Sequence, residues 1–329
     1  MQAWICDSPT GVDALRWMEQ PTPQPKAGEV LIRIGAAGLN FPDLLIVQNK
    51  YQFKPEPPFV PGAEFAGVIE AVGEGVSVNQ IGQAVACLAG TGGFATHAVV
   101  RSALCMPLPP KAPLSDGAAL IMTYGTTHHA LFDRGQLKSG ETLLVLGAAG
   151  GVGTAAIQLG KAIGARVIAA ASREEKCTLC RALGADQTIN YGAFTSPTDL
   201  REAIKSLTAG RGVDVIYDPI GGQWAEPAFR SIAWRGRYLV IGFAAGDIPS
   251  LPLNLTLLKG ASVVGVFYGG FAKQEPGANA AMLGELAGLY TRGLIKPVID
   301  TELPMRELKQ AYTKLQSRSV LGKVVLLND

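Results

Sequence analysis

The glycine-rich stretch at 147–153 constrains the fold of this chain more than any other feature of its sequence. It follows the apolar run LLVL at 143–146, which is typical of a strand buried on both faces of a parallel sheet. Apolar residues at helical spacing come after the glycines, and the segment RVIAAAS at 166–172 predicts a second strand. Strand, glycine turn, helix and strand within about thirty residues form one βαβ unit.

The glycines themselves indicate a ligand that carries phosphate groups. A pyrophosphate can rest on the amides at the start of a helix only where no Cβ holds the backbone away from it. The spacing departs from the usual G-x-G-x-x-G because the second glycine is displaced, so a tight turn without a ligand is the alternative. If a ligand binds, the candidate contacts are Gly147, Ala148, Gly150, Gly151, Val152 and Gly153.

The rest of the chain divides around this unit. Strands and helices go on alternating as far as the apolar segment SVVGVFYGG at 262–270, which predicts a doubly wound parallel sheet. Residues 58–100 contain short β-rich segments punctuated by glycine, which are typical of a small, barrel-like sheet. The predicted class is α/β, with a nucleotide-binding domain at 124–265 and a β-rich domain formed by 1–123 and 266–329.

Composition excludes several other classes of protein. A formal net charge of +2, with acidic and basic residues interspersed, offers no stripe for nucleic acid. The sequence contains no run of eighteen apolar residues and does not begin like a signal peptide, so we expect a cytoplasmic protein without a membrane partner. The five cysteines are scattered, and the C-x-x-C pair at 177 and 180 has no second pair nearby, so we expect neither a disulfide framework nor a metal site.

The segment after the second strand bears on which dinucleotide would bind. An acidic residue at that position binds the ribose 2′-hydroxyl of NAD, and Glu174 and Glu175 are available for this. However, Ser172 with Glu175 three residues later fits a helix capping box. Ser172, Arg173 and Lys176 then offer a hydroxyl and two cations for a 2′-phosphate, so the sequence favours NADPH over NADH.

Further polar residues lie beside the apolar run at 40–51. Asn40, Asp43 and Tyr51 are candidate substrate-binding residues, although Asn and Asp are also common in turns and helix caps. With these residues in view, the whole chain resembles the zinc-independent quinone oxidoreductases of the zeta-crystallin type, within the medium-chain dehydrogenase/reductase superfamily. The matching stretches include GLNFPD (38–43), PFVPGAEFAGVIEAVG (58–73), GTTHHAL (125–131), GAAGGVGTAAIQLGKAIGARVIA (147–169), DPIGG (218–222) and SRSVLGKVVL (317–326).

The resemblance implies a GroES-like substrate domain split around a Rossmann domain, with the nicotinamide in the cleft. It implies that Asn40, Asp43 and Tyr51 line the substrate side and that Thr126 contacts the carboxamide. Zinc ligands of the related alcohol dehydrogenases are missing, since their Gly-His-Glu motif reads Gly62-Ala63-Glu64 here and no cysteine stands beside Asn40. No metal is therefore expected. Further implied cofactor-binding residues are Lys176, Tyr191, Gly242, Phe267 and Arg318.

The expected function follows from these residues. We expect an NADPH-dependent enzyme that delivers hydride to a quinone or to an activated α,β-unsaturated carbonyl, because such an acceptor needs neither a metal nor a strongly activated base. The proton would come from Tyr51 or from solvent. An enoyl-thioester reductase is one alternative, and a non-catalytic NADPH-binding structural or RNA-binding protein is another. The apolar segment at 262–270 predicts a homodimer, because an unprotected sheet edge is more safely buried.

Overall fold

The computed structural model describes residues 1–328, whose contacts divide the chain into two units. The first unit consists of residues 1–122 and 296–328, and the second unit is Thr123–Ile295. In the described residues, no helix has the length and apolar character needed to cross a membrane.

The strands are, in chain order, β1 (Gln2–Ile5), β2 (Arg16–Glu19), β3 (Glu29–Leu39), β4 (Glu64–Val72), β5 (Ala84–Leu88), β6 (His97–Arg101), β7 (Cys105–Pro107), β8 (Thr142–Val145), β9 (Arg166–Ala171), β10 (Gln187–Asn190), β11 (Val213–Asp218), β12 (Ile232–Val240), β13 (Ser262–Gly265), β14 (Ile299–Pro304) and β15 (Lys323–Leu327). The helices are α1 (Phe41–Val47), α2 (Leu114–Gly117), α3 (Thr126–His128), α4 (Gly151–Ala162), α5 (Glu174–Ala182), α6 (Thr198–Leu207), α7 (Ala225–Arg230), α8 (Asn254–Lys259), α9 (Tyr268–Gln274), α10 (Pro276–Thr291) and α11 (Leu308–Gln316).

The first unit is built on a seven-stranded sheet in the order β14-β15-β3-β4-β5-β7, with β6 pairing β3. Every pairing in it is antiparallel except that of β14 with β15. Register shifts interrupt the pairing of β3 with β4, which bends both strands. Phe65, Phe94 and Tyr312 are among the large side chains buried in the core of this unit. The unit is the glycine-punctuated β-rich domain that the sequence predicts.

The second unit contains a six-stranded sheet in the order β10-β9-β8-β11-β12-β13, and all its strands are parallel. Leu143, Leu144 and Val145 in β8 are fully buried, as expected for a central strand covered on both faces. The strand order reverses between β8 and β11, and ligands of doubly wound sheets bind outside the carboxyl ends of the strands at such a point. The predicted doubly wound sheet is confirmed.

The structure differs from the sequence prediction around residues 266–295. The apolar segment 262–270 predicts one strand, but β13 ends at Gly265, which pairs with Val240 at the end of its partner β12. Helices α9 and α10 follow, and they pack within the second unit, where the ring of Phe271 stacks on that of His129 at 4.2 Å. The chain therefore returns to the first unit after Ile295 rather than at residue 266.

Helix α3 has an unexpected feature on each side. It is flanked by π-helical turns, Ile121–Gly125 before it and His129–Arg134 after it. Short π-helical insertions are rare and occur often at functional sites. Thr126, the predicted carboxamide contact, is the first residue of α3.

Candidate functional site

Two glycines of the predicted turn are required by the fold itself. Gly147 has a φ of 58°, and a Cβ there would lie 2.7 Å from Cγ2 of Ile220. At Gly153, a Cβ would lie 2.5 Å from the carbonyl oxygen of Gly147, so this glycine lets α4 pack directly against the turn. A larger residue at either position would disturb the turn even without a ligand.

Gly150 is required by neither backbone strain nor packing. Its φ is −81°, and an added Cβ would meet only the carbonyl oxygen of Gly147, at 3.5 Å. Gly150 is the N-cap of α4 and supplies no side-chain hydrogen bond to the first amides of that helix. These amides have no partner within the helix, so the open space beside Gly150 fits an anionic group such as a pyrophosphate.

The other turn residues have more structural contacts. The amide of Ala148 donates to the carbonyl of Ala170 at 3.0 Å, which ties the turn to β9. Gly151 is the first residue of α4, and the carbonyl of Val152 accepts a hydrogen bond from the hydroxyl of Thr127 at 3.3 Å. The backbone of Ala148 is therefore engaged within the protein, and the amides open to a ligand belong to the start of α4.

The expected capping box at the end of β9 is wrong. Helix α5 begins at Glu174, so its N-cap is Arg173, and Ser172 lies one residue too early to cap the helix. Glu174 instead pairs with Arg181 on the same helix, with an Oε1–Nη2 distance of 2.5 Å. Ser172 and Lys176 are half-buried, whereas Arg173 is exposed.

Tyr191 lies beside Ser172 at the same edge of the parallel sheet. Asn190, the last residue of β10, is in register with Ala171, the last residue of β9. A Cβ on the next glycine of the chain, Gly192, would lie 2.0 Å from the carbonyl oxygen of Ser172. The structure therefore places Tyr191 next to Ser172 at the carboxyl ends of β9 and β10.

Three further predicted cofactor residues lie elsewhere. Gly242 follows β12, and its amide donates to the carbonyl of Asp218 at 3.4 Å. Phe267 follows β13 and has 58% of its surface exposed. Arg318 belongs to the first unit, between α11 and β15, and has a φ of 55°.

Asp218 is the first residue of the stretch DPIGG, and no local pattern in the sequence indicates its role. It ends β11, and its buried carboxylate accepts hydrogen bonds from the amides of Ile220 and Gly221 at 2.8 and 2.9 Å and from the hydroxyl of Tyr238. Burial raises the pKa of Asp218. Because Ile220 packs against Gly147, Asp218 fixes the turn that neighbours the glycine turn.

In the first unit, Asp43 holds the start of α1. One carboxylate oxygen accepts the amide of Asn40 at 2.8 Å, and the other accepts the amide of Ala63 at 3.0 Å. Burial raises the pKa of Asp43 to about 7, although these hydrogen bonds oppose the shift. Tyr51 is half-buried, and its pKa is raised by burial and by the nearby Asp43 carboxylate. Asp43 and Tyr51 therefore influence each other electrostatically.

The side chain of Asn40 is fixed by a buried ion pair. Its Oδ1 accepts from Nζ of Lys323 at 2.6 Å, and its Nδ2 donates to Oε2 of Glu64 at 3.0 Å. Lys323 also contacts Glu64 directly at 3.2 Å, and Oε1 of Glu64 accepts the amide of Met122 at 2.8 Å. Both charged side chains are at most 5% exposed. The side-chain amide of Asn40 therefore has one orientation.

Glu64 and Lys323 are functional candidates that sequence reasoning missed. Both lie in stretches that resemble the family, PFVPGAE and GKVVL, but a single charged residue beside an apolar strand gives no sign of a partner about 260 positions away. In the described residues, no group of three or more His, Cys, Asp or Glu side chains is arranged to hold a metal ion.

Comparison with known proteins is consistent with this geometry. Residues 26–110 match the alcohol dehydrogenase GroES-like domain, and residues 151–283 match the family described as zinc-binding dehydrogenase. Quinone oxidoreductase-like protein 2 of Bos taurus is 37% identical over 311 residues, which cover 94% of this chain and 88% of the bovine protein. The quinone oxidoreductase of Rattus norvegicus is 34% identical over 307 residues, covering 93% and 91%.

A solved structure extends the likeness to the full length. The quinone oxidoreductase of Thermus thermophilus, whose structure was also determined with NADPH, aligns over 100% of both chains with a TM-score of 0.86 and 33% identity. The fold and the matches define an oxidoreductase of the medium-chain dehydrogenase/reductase type. Within that class, the chain belongs to the quinone oxidoreductase family. The predicted family, and a Rossmann sheet joined to a GroES-like domain, are confirmed.

Proposed function

We propose that this protein binds NADPH and delivers its hydride to a quinone or to an activated α,β-unsaturated carbonyl, without zinc. The observation that carries the proposal is the open space at Gly150. Neither the backbone conformation nor the packing at this position requires a glycine. The open space leaves the first amides of α4 accessible at the switch point of the sheet. NADPH in the complex of the Thermus thermophilus relative supports the same cofactor.

In this proposal, the residues of the second unit have separate roles. The first amides of α4 bind the pyrophosphate, while Ser172, Arg173 and Lys176 bind the 2′-phosphate. Tyr191 lies beside Ser172, and Thr126 would orient the carboxamide, as the resemblance implies. Gly242, Phe267 and Arg318 remain proposed cofactor contacts on the same resemblance.

The first unit supplies the residues proposed for the acceptor. The bound cofactor supplies the hydride, so the protein needs to orient the acceptor and hold a proton. The hydroxyl of Tyr51 is protonated at neutral pH, and burial raises its pKa further, so Tyr51 can donate a hydrogen bond to a carbonyl oxygen. Asn40, the other residue proposed for this side, has an amide whose orientation is fixed by Glu64 and Lys323.

Zinc independence is supported by the contacts at the altered motif. Where zinc-dependent relatives have Gly-His-Glu, Ala63 has no metal-binding side chain, and its amide binds Asp43. Glu64 is already paired with the ammonium of Lys323. The Glu64 carboxylate therefore already has a cationic partner within the protein, at the position where zinc-dependent relatives use this motif.

A homodimer and a cytoplasmic location belong to the same proposal. β13 is the edge strand of the parallel sheet and is largely exposed, as are Leu253, Leu257 and Trp234, which have 70–81% of their surface accessible. Exposed apolar patches of this kind mark interaction surfaces, and a second copy could pair with the edge strand. A monomer mass by light scattering at micromolar concentration would contradict the dimer. The five cysteines are thiols, which is usual in a reducing compartment.

The deciding experiment measures NADPH oxidation with a benzoquinone, an enone and crotonyl-CoA in parallel, with and without a metal chelator. We expect turnover of the quinone or the enone, unchanged by chelation. Each charge-assisted contact to the 2′-phosphate contributes about 1.5–3 kcal/mol, so replacing both Arg173 and Lys176 by Ala should weaken NADPH binding well over tenfold and leave NADH binding unchanged.

Lys205→Ala is the matched control, because Lys205 pairs with Glu202 on the surface of α6. Faster turnover of crotonyl-CoA than of the quinone or enone would favour the enoyl-thioester reductase. Absence of turnover with all three acceptors, despite NADPH binding, would favour the non-catalytic alternative. Equal binding of NADPH and NADH would contradict the 2′-phosphate site.

A further inference from the structure

Two cysteines face each other across strands β5 and β7. Cys87 is in register with Cys105 in this antiparallel pair. The amide of Leu108 donates to the carbonyl of Ala84, and Pro107, opposite Val85, has no amide hydrogen to donate. Since hydrogen-bonded and non-hydrogen-bonded pairs alternate along an antiparallel ladder, the two cysteines form a non-hydrogen-bonded pair, in which side chains come closest.

The separation of the two thiols suits a covalent bond between them. Their Sγ atoms are 3.7 Å apart. A non-hydrogen-bonded pair has a Cα separation of about 4.5 Å, which lies within the range of about 4.4–6.8 Å found for disulfides. The two sulfur atoms can therefore approach to the disulfide bond length of about 2.05 Å while both strands keep their positions.

The two thiols are not equivalent. Cys87 is completely buried, whereas Cys105 is partly exposed at the start of the edge strand. The Cys87 thiol donates its hydrogen to the sulfur of Cys105. This hydrogen bond lowers the pKa of Cys105 and raises that of Cys87, which burial raises further. Cys105 is therefore the more reactive and more accessible thiol of the pair.

We propose that Cys105 is an oxidation site for hydroperoxides and that Cys87 resolves the product as a reversible disulfide. The Cys105 thiolate attacks one peroxide oxygen and breaks the O–O bond, giving a sulfenic acid and, after protonation, water or an alcohol. The Cys87 sulfur then attacks the sulfenic sulfur and breaks its S–O bond, which releases water. Two thiols are oxidised to one disulfide, and one hydroperoxide is reduced.

A disulfide between Cys87 and Cys105 would also link strands β5 and β7 beside the candidate site. Cys87 lies opposite Phe65, which follows Glu64 in β4. A bond between β5 and β7 would close the loop from 88 to 104 and stabilise the first unit, because it constrains the unfolded chain. This inference does not depend on the acceptor or on the cofactor of the enzyme.

The test exposes the full-length protein to equimolar hydrogen peroxide and then counts thiols by alkylation after unfolding. The chain has five cysteines. We expect three alkylated thiols, a peptide that joins Cys87 to Cys105, a higher melting temperature, and recovery of all five thiols with dithiothreitol. Cys177→Ala is the matched control and should lose the same two thiols, because Cys177 is buried in helix α5.

Two variants separate the roles of the thiols. Cys105→Ser should keep its four remaining thiols after peroxide, whereas Cys87→Ser should gain one oxygen atom at Cys105. Five thiols remaining in the parent protein would overturn the proposal. A disulfide that includes Cys6, Cys177 or Cys180, or a sulfinic acid at Cys105 of the parent protein without any bond to Cys87, would also overturn it.

Discussion

The two units of this protein present their functional groups in different ways. In the second unit, the glycine turn offers backbone amides, which are accessible because Gly150 has no side chain. In the first unit, buried charged side chains fix the orientation of one amide, Asn40. The difference implies that the first site depends on the stability of its unit, whereas part of the second site can change without harm to the fold.

The largest effect is expected from removing a charge of the buried cluster. Lys323→Ala leaves the Glu64 carboxylate buried without its cation, and breaking a buried pair in this way destabilises a protein by about 3–5 kcal/mol. Urea unfolding of the variant and the parent measures this difference. Lys309→Ala is the control, because the ammonium of the half-buried Lys309 contacts the neutral carbonyl of Asp13 and the face of Trp4. A loss below about 1 kcal/mol for Lys323→Ala would show that the cluster does not support the fold.

The glycine turn should show the opposite behaviour. Gly150→Val places a branched side chain over the first amides of α4, so NADPH binding should weaken by about 3 kcal/mol, or more than a hundredfold, with little change in stability. Gly153→Val should destabilise the protein, because its Cβ meets the carbonyl oxygen of Gly147 at 2.5 Å. Thermal melts with and without NADPH measure both effects. If Gly150→Val shows the parent's full NADPH-dependent shift, the pyrophosphate does not bind at this turn.

The same contrast explains how much the sequence could predict. The parallel sheet and the glycine turn follow from local patterns, such as the apolar run at 143–146 and the glycines after it, so both were predictable. The Asn40–Glu64–Lys323 cluster joins residues from three distant strands and loops, and no local pattern shows which buried charges will meet. Helix α5 starts one residue later than a cap at Ser172 predicts, and the strand predicted over 262–270 ends at Gly265 because its partner β12 ends at Val240.

The smallest expected effect concerns the titration of Asp43. Its pKa is about 7 in the folded protein and 3.8 in the unfolded chain, so between these values the folded state binds more protons. The contribution of Asp43 to stability is therefore present at low pH and is lost as the pH rises towards 7. Asp43→Asn removes this titration, so the parent should lose stability relative to the variant by on the order of 1 kcal/mol per pH unit between about pH 5 and 7, and remain level above that range.

Urea unfolding at half-unit pH steps from 5 to 9 checks the sign as well as the size of this difference. Asp13→Asn, at the surface of the same unit, also removes one carboxylate and serves as the control for that loss of charge. If the parent instead gains stability relative to Asp43→Asn as the pH rises, the two amides of Asn40 and Ala63 stabilise the carboxylate more than burial disfavours it. Asp43 would then be ionised throughout the neutral range, and backbone amides would hold an anion in the first unit as they are proposed to do in the second.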